Sequence, residues 1–375
     1  MSDTYRRYGA IRQGLLQFFQ PRLTGHRERH FNTLVAMIGG IVGAQRAHLS
    51  HMADHAPSHG ARQESVRARF QRWLKNDTTT LDGWFLPVAE ALLANLAQQP
   101  ITLVLDGSVV GRGCLALMLS VVYHGRALPL TWVVVKGAKG HFPQATHCAL
   151  ITQMQQIMPP TAEVTVLGDG EFDGTEVQAA LRHLHWQYIC RTAPNIVMTV
   201  YGQQRHIGDL APRRGELLAV RPAWITAAQY GPVSMLAIWE AAYEEPLYLV
   251  TNMLDLDAAL ALYRKRAHIE TFFSDQKSRG FHLHQSHLRD PQRLARLLIV
   301  SCLAYLWLVS LGVCALRDDW LKRLHRRDRC DLSLFRLGLR LLARCLQDDL
   351  PIPAGFLVPP VLPRKPVRQP VKQAA

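Results

Sequence analysis

Two periodicities divide the chain. From its start to about residue 99, apolar side chains recur three and four positions apart, as in Ile11-Leu15-Phe18-Phe19 and Phe31-Leu34-Val35-Ile38. That spacing lines one face of a helix. Gly39, Gly40 and Gly43 mark a turn or close packing. Within 65–74, Val66, Phe70, Trp73 and Leu74 share one face, while Arg67, Arg69, Arg72 and Lys75 fall largely elsewhere. A basic amphipathic helix is predicted there, equally fit to lie on phosphates or to be a solvated surface helix.

From residue 101 the period shortens. Residues 101–106, 114–123 and 128–135 form apolar runs, with His124-Gly125-Arg126 as a hairpin turn, and predict three central antiparallel strands. The first is expected to end at Asp106. A helix at about 143–158, a strand at 163–168, a helix at about 173–184 and a strand at 186–190 are predicted next. A meander followed by helix, strand, helix and strand is the order of a ribonuclease H-like mixed sheet, an α/β class. Short β-like runs broken by Gly and Pro fill 192–250 and read as an inserted, mostly-β subdomain. A helical pattern returns from 257 to about 279.

Charge narrows the function. Hydrophobic residues make up 48% and charged residues 19% of the 375, enough to bury a substantial core. Against 29 Asp and Glu stand 43 Lys and Arg, a formal net charge of +14. Such an excess draws polyanions, so nucleic acid or an anionic membrane surface is the partner class it admits. The uncharged run 297–315, flanked by Arg293, Arg296 and Arg317, is long enough to cross a bilayer. Being solitary, it is read instead as a helix that is apolar all round because protein surrounds it, and no membrane partner is expected. The seven cysteines include no C-x-x-C pair and are odd in number; free thiols in a reducing cytosol are expected, rather than a disulfide framework or a zinc ribbon. No cleavable export signal is expected, and the location is read as cytoplasmic.

Three carboxylates carry the candidate chemistry. Asp106 and Asp169 each follow an apolar strand-like run, and neighbouring strand ends can bring two such side chains together. Clustered carboxylates repel unless a cation sits between them, and hard divalent ions such as Mg²⁺ suit oxygen ligands. Taken singly, either Asp is as readily a turn or cap residue. The third carboxylate, Glu270, shares a predicted helix with Tyr263, Arg266 and Lys277. On one continuous helix these fall within roughly 60° of each other around the axis. A phenol, a guanidinium, a carboxylate and an ammonium then occupy a stripe where an ordinary amphipathic helix would bury Leu. Pairing of Arg266 with Glu270 on a solvated face explains only part of it.

Tyr263-x-x-Arg266-x-x-x-Glu270-x-x-x-x-x-x-Lys277 resembles, at full spacing, the Tyr-Arg-Glu-Lys signature of bacterial insertion-sequence transposases of the IS-four type. Leu249-Val250-Thr251-Asn252, Asp106 in Val-Leu-Asp-Gly and Asp169 in Gly-Asp-Gly-Glu-Phe are similar to that family as well, over roughly residues 100–290. Ala267 and Gly170 stand where the family commonly has Trp and Arg. The resemblance implies a cut-and-paste DNA transposase in which Asp106, Asp169 and Glu270 hold two Mg²⁺ (or Mn²⁺) ions. It also implies that Tyr263, Arg266 and Lys277 handle phosphates and a displaced base at the transposon end. Its partners would be double-stranded DNA, as transposon ends and target, and a second copy of the chain in a synaptic homodimer. A tryptophan of the insertion, Trp224 or Trp239, is a candidate DNA wedge, and Glu171 and Asp173 are expected to be supporting residues. A structure-specific metal-dependent nuclease on the same fold and a catalytically idle DNA-binding regulator are the competing readings.

The expected organisation is therefore a helical N-terminal DNA-binding region (1–99) with Arg67, Arg69, Arg72 and Lys75 as its contacts, and a catalytic core in two parts (100–191 and 251–330). The inserted subdomain (192–250) separates those parts. A C-terminal helical region (331–350) and a Pro-rich basic tail (351–375) with Arg364, Lys365, Arg368 and Lys372 complete it.

Overall fold

The computed structural model describes residues 2–19, 23–137, 142–318, 320–325 and 330–362. The four basic residues of the tail lie outside the described residues. Helices α1 (Asp3–Phe19), α2 (Gly25–Ala44), α3 (Leu49–Asp54), α4 (Gln63–Lys75), α5 (Leu81–Trp84) and α6 (Leu86–Leu96) come first. They are followed by β1 (Ile101–Gly111), β2 (Cys114–Tyr123), β3 (Arg126–Lys136), α7 (Gln144–Ile157), β4 (Val164–Gly168), α8 (Thr175–His183) and β5 (Gln187–Arg191). Strands β6 (Val197–Val200), β7 (Gln203–His206), β8 (Leu217–Ile225), β9 (Tyr230–Ile238) and β10 (Leu247–Thr251) lead to α9 (Leu256–Tyr263) and α10 (His268–Gln276). Helices α11 (Pro291–Arg317), α12 (Leu321–Leu324) and α13 (Leu334–Gln347) come last.

The chain divides into two compact units. One comprises Met1–Gln98, Val110–Cys114 and Phe273–Ala375. Its core is built on α11, which starts where Asp290 accepts the Arg293 N–H and Pro291 occupies the first turn. The most apolar stretch of α11 is 94% buried within the protein, and Tyr305 stacks on Phe335 of α13 at 5.5 Å. Protein packing thus accounts for its uniform hydrophobicity. Arg296 does not flank a membrane span. It is buried, and its guanidinium donates to the carbonyls of Leu74 at 3.0 Å and Thr79 at 3.2 Å and to Asp77 at 2.7 Å. Gly39, Gly40 and Gly43 lie inside α2, where close packing is the reason for them: a β-carbon on Gly40 would sit 2.4 Å from the Met52 carbonyl oxygen. Helix α4 buries Val66, Phe70, Trp73 and Leu74, as the pattern predicts. Arg67, Arg72 and Lys75 are exposed, whereas Arg69 is half-buried and reaches the Pro57 carbonyl at 3.5 Å.

The other unit comprises Gln99–Val109 and Leu115–Phe272. Its centre is a mixed sheet of ten strands in the order β3-β2-β1-β4-β5-β10-β9-β8-β6-β7. Two-residue connections join β1 to β2 and β2 to β3, a length that only antiparallel neighbours allow. β4 runs parallel to both β1 and β5, and its five residues are all buried, as expected of a strand covered on both faces. One strand boundary departs from expectation. β1 continues past Asp106 to Gly111, because beyond its parallel pairing with β4, which stops at Val104, it still serves as an arm of the hairpin with β2. Residues 192–250 are strand-rich, and their strands extend the same sheet: β10 pairs antiparallel with β5, setting Val250 opposite Cys190, and β9, β8, β6 and β7 continue outward. The polar strand β7, Gln203-Gln204-Arg205-His206, is exposed throughout and, among the described residues, pairs with β6 at the sheet's edge.

Candidate active site

The register of the parallel strands places the first two carboxylates. Val104 of β1 is level with Leu167 of β4, so Asp106 and Asp169 each stand two residues further on, on the same side of strands roughly 4.8 Å apart. Backbone amides fix both side chains: the Gly107 N–H donates to Asp106 Oδ1 at 2.8 Å and the Glu171 N–H to Asp169 Oδ1 at 3.0 Å. Only 15% of the Asp106 side chain is exposed. Burial and the neighbouring Asp169 charge raise its carboxyl, with a smaller push from Glu270. Arg266 and the Gly107 amide oppose them, and the group is pushed up to about 6.

Arg266 joins the third carboxylate to this pair. Its Nη1 lies 3.7 Å from Asp106 Oδ2 and its Nη2 lies 3.6 Å from Glu270 Oε1. Glu270, on the first turn of α10, is 64% exposed. Tyr263 is buried at the end of α9, and burial pushes its phenol up to about 12. Among the described residues no three His, Cys, Asp or Glu side chains converge as a ready-made metal cluster; one guanidinium supplies the positive charge between Asp106 and Glu270.

The predicted stripe is altered in one respect. The segment 257–279 is not one helix: a 3₁₀ turn, Arg264–Ala267, separates α9 from α10, and Lys277 follows the end of α10 in a turn. Lys277 belongs to the helical unit, where its ammonium lies 5.9 Å from the centre of the Phe273 ring. The geometry therefore gathers Tyr263, Arg266 and Glu270.

The neighbouring acids are tied into the scaffold. The Glu171 carboxylate accepts the Phe142 N–H and lies 3.8 Å from Nε2 of His147, a fully buried histidine on α7. Asp173 accepts a hydrogen bond from the Thr192 hydroxyl at 2.6 Å. The two insertion tryptophans are half-buried. Trp239 donates its Nε1–H to the Tyr243 carbonyl at 3.1 Å and stacks under Arg214, and Trp224 closes over the backbone of Gly231.

Sequence reasoning passed over two arginines. A cleft of about 560 Å³ lies beside Tyr263 and Arg266, and Arg191, Glu240, Tyr243 and Arg264 share its walls. Arg191 ends β5, the parallel neighbour of the strand that leads to Asp169. A cation at that strand end was the available signal. Arg264 donates from Nε and Nη2 to Glu240 at 3.0 and 2.7 Å, a partnership across 24 residues that no local pattern reveals.

Residues 73–307 match the model of the family described as "Transposase DDE domain". No curated protein sequence matches the chain. Among solved structures it is similar to the piggyBac transposase in a cryo-EM synaptic complex with hairpin DNA, at 12% identity and a TM-score of 0.40, over 95% of this chain and 83% of that one. It is also similar to human ENDOV, at 14% identity and a TM-score of 0.24, over 59% of this chain and 96% of that one.

Proposed function

Since the chain belongs to the transposase DDE domain family and is a DNA transposase, we propose that Asp106, Asp169 and Glu270 are its catalytic carboxylates and hold two divalent ions, Mg²⁺ or Mn²⁺. One observation carries this reading: Asp106 and Asp169 are level on parallel strands, and Arg266 spans from Asp106 to Glu270 at 3.7 and 3.6 Å. The donor set fits hard cations, being oxygen throughout. A carboxyl raised to about 6 by burial and a second carboxylate is one whose ionised form a divalent cation would stabilise. Such ions, once bound, would activate the attacking oxygen and stabilise the leaving oxygen of an in-line displacement at a phosphodiester.

The chain's own residues then divide the work. Gly107 and Glu171 hold the two aspartates through their amides. Arg266 can release its two loose ion pairs and grip a phosphate bidentately, a task its planar fork suits. Tyr263 keeps its proton, so it is available to donate a hydrogen bond or to stack. On this reading the enzyme is of the IS-four type, with Tyr263, Arg266, Glu270 and Lys277 as its signature. The order β3-β2-β1-β4-β5 is its ribonuclease H-like core, and 192–250 is an insertion into it. Arg67, Arg72 and Lys75 of α4 contact DNA phosphates, Arg69 supports that helix through the Pro57 carbonyl, and two copies of the chain pair the transposon ends in the cytoplasm.

The test is cleavage of a labelled transposon end in Mg²⁺. Asp106→Asn, Asp169→Asn and Glu270→Gln should each abolish cutting while end binding stays nearly intact, and excess chelator should silence the parent. Wild-type cutting by any one variant removes that residue from the site.

A further inference from the structure

The most exposed large apolar side chain among the described residues is Tyr201, at 88%, and it occupies an unfavourable backbone position. Val200 of β6 pairs with Gln203 of β7, so Tyr201 and Gly202 form a two-residue hairpin turn. Both have left-handed backbones, with φ of +50° and +78°. This is the combination of a type I′ turn, whose first position is ordinarily Asn, Asp or Gly because a bulky β-carbon is strained there. At 88% exposure the tyrosine ring recovers none of that strain by burial. A side chain that costs stability and packs on nothing is one held out for a partner.

The surroundings identify the partner's chemistry. No Asp or Glu occurs from 192 to 208, the first acid beyond, Asp209, accepts the His206 N–H at 2.8 Å, and β7 presents Gln203, Gln204, Arg205 and His206, all exposed. The register sets Arg205 opposite Met198, on the same face of the ribbon as Gln203 and one strand repeat, about 7 Å, behind the tip. β6 is paired with β8 as well, at Met198 and Thr199, so the part that is two strands wide is the tip from Val200 to Gln203, and a ribbon of that width is narrow enough to enter a DNA groove. Aromatic rings stack on bases and can pry a base step apart, while an arginine just behind can hold the adjacent phosphate. Trp224 and Trp239, by contrast, are half-buried, against Gly231 and against Arg214 and the Tyr243 carbonyl respectively. Building on the DNA transposase assignment, we infer that the β6–β7 hairpin enters duplex DNA, with Tyr201 as a side chain that stacks between bases and Arg205 as its phosphate anchor.

The experiment uses the full chain in chelator and duplexes cut from the DNA flanking the gene, with 2-aminopurine placed at successive positions. The parent should raise the fluorescence at one position or a few adjacent ones by unstacking them. Tyr201→Phe and Tyr201→Trp should keep that pattern. Tyr201→Asn should lose it and weaken binding about tenfold. Because Asn suits the left-handed turn, this variant should melt no lower than the parent, which separates lost stacking from lost folding. An unchanged fluorescence pattern and affinity in Tyr201→Asn overturns the inference. So does a change confined to the protein's own sedimentation, which would make the tip a protein contact. Failure of the catalytic reading is seen separately: it appears as cleavage that survives loss of the carboxylates, whatever Tyr201 does.

Discussion

A histidine inside a helical unit can serve the fold only as long as it stays neutral. His30 of α2 is stacked on Trp73 at 5.3 Å and tilted against Trp84 at 5.3 Å, and its Nε2 lies 2.7 Å from the Thr79 hydroxyl. Burial first, and then the charge of His26, lower it from 6.5 to about 4. The folded state therefore binds this proton less readily than the unfolded chain. Its contribution to stability is fully present above about pH 6.5 and is lost as pH falls toward about 4. His30→Gln retains a group that can bond Thr79 and does not titrate. The parent should lose more melting temperature between pH 7 and pH 5 than this variant does, and equal losses would refute the assignment. Asp106 is the opposite case, a carboxyl held near 6 beside another carboxylate. Its environment suits a cation more than it suits the fold. The environment of His30 was not legible in the sequence, because it depends on Trp73, Thr79 and Trp84, dozens of residues away, whereas the nearness of Asp106 to Asp169 was expected from the strand-like run before each. The spacing of Tyr263, Arg266 and Glu270 and the strand-end setting of Asp106 and Asp169 were legible, because both are written in the order of the residues.

At the scale of elements, the periodicities located the strands and helices well where burial was one-sided or complete. They failed where the competing states share residue preferences. A 3₁₀ turn and an α-helix accept the same side chains, so nothing in Arg264-Lys265-Arg266-Ala267 announces the break between α9 and α10. At about 20° of extra rotation per residue, four tighter residues turn the stripe by about 80°. Strand β7 was missed for a different reason: it is polar on both faces and is set by pairing with β6, not by burial. Helix α4 shows how an element's end can depend on a distant residue. Arg296 of α11 satisfies the carbonyls of Leu74 and Thr79, work that a local capping residue usually does. Arg296→Met should cost about 2–3 kcal/mol, because it orphans two buried acceptors as well as removing charged hydrogen bonds. Asp77, whose side chain is 95% exposed, should matter far less, and Asp77→Asn should cost under about 1 kcal/mol. Urea denaturation midpoints check both, and equal stability of Arg296→Met and the parent would show that water replaces the arginine.

For the molecule as a whole, the governing quantity is the charge of +14. A transposase must search a long excess of DNA before it finds its ends, and phosphate attraction with counterion release supplies that sequence-independent binding. The outward cations of α4 are three rather than four, because Arg69 is half-buried, reaches the Pro57 carbonyl, and has its guanidinium pKa lowered chiefly by burial. Each phosphate neutralised contributes about −0.9 to the slope of log binding constant against log salt. Arg67→Ala, Arg72→Ala and Lys75→Ala together should flatten the slope by up to about 2.7, on transposon-end and unrelated duplexes alike, because phosphate contacts carry no sequence information. Arg69→Ala should leave the slope nearly as it is and lower the melting temperature instead. Titrations at several salt concentrations decide the matter. A triple variant with the parent's slope would make α4 a solvated surface and would place the phosphate contacts on other cations of this strongly basic chain.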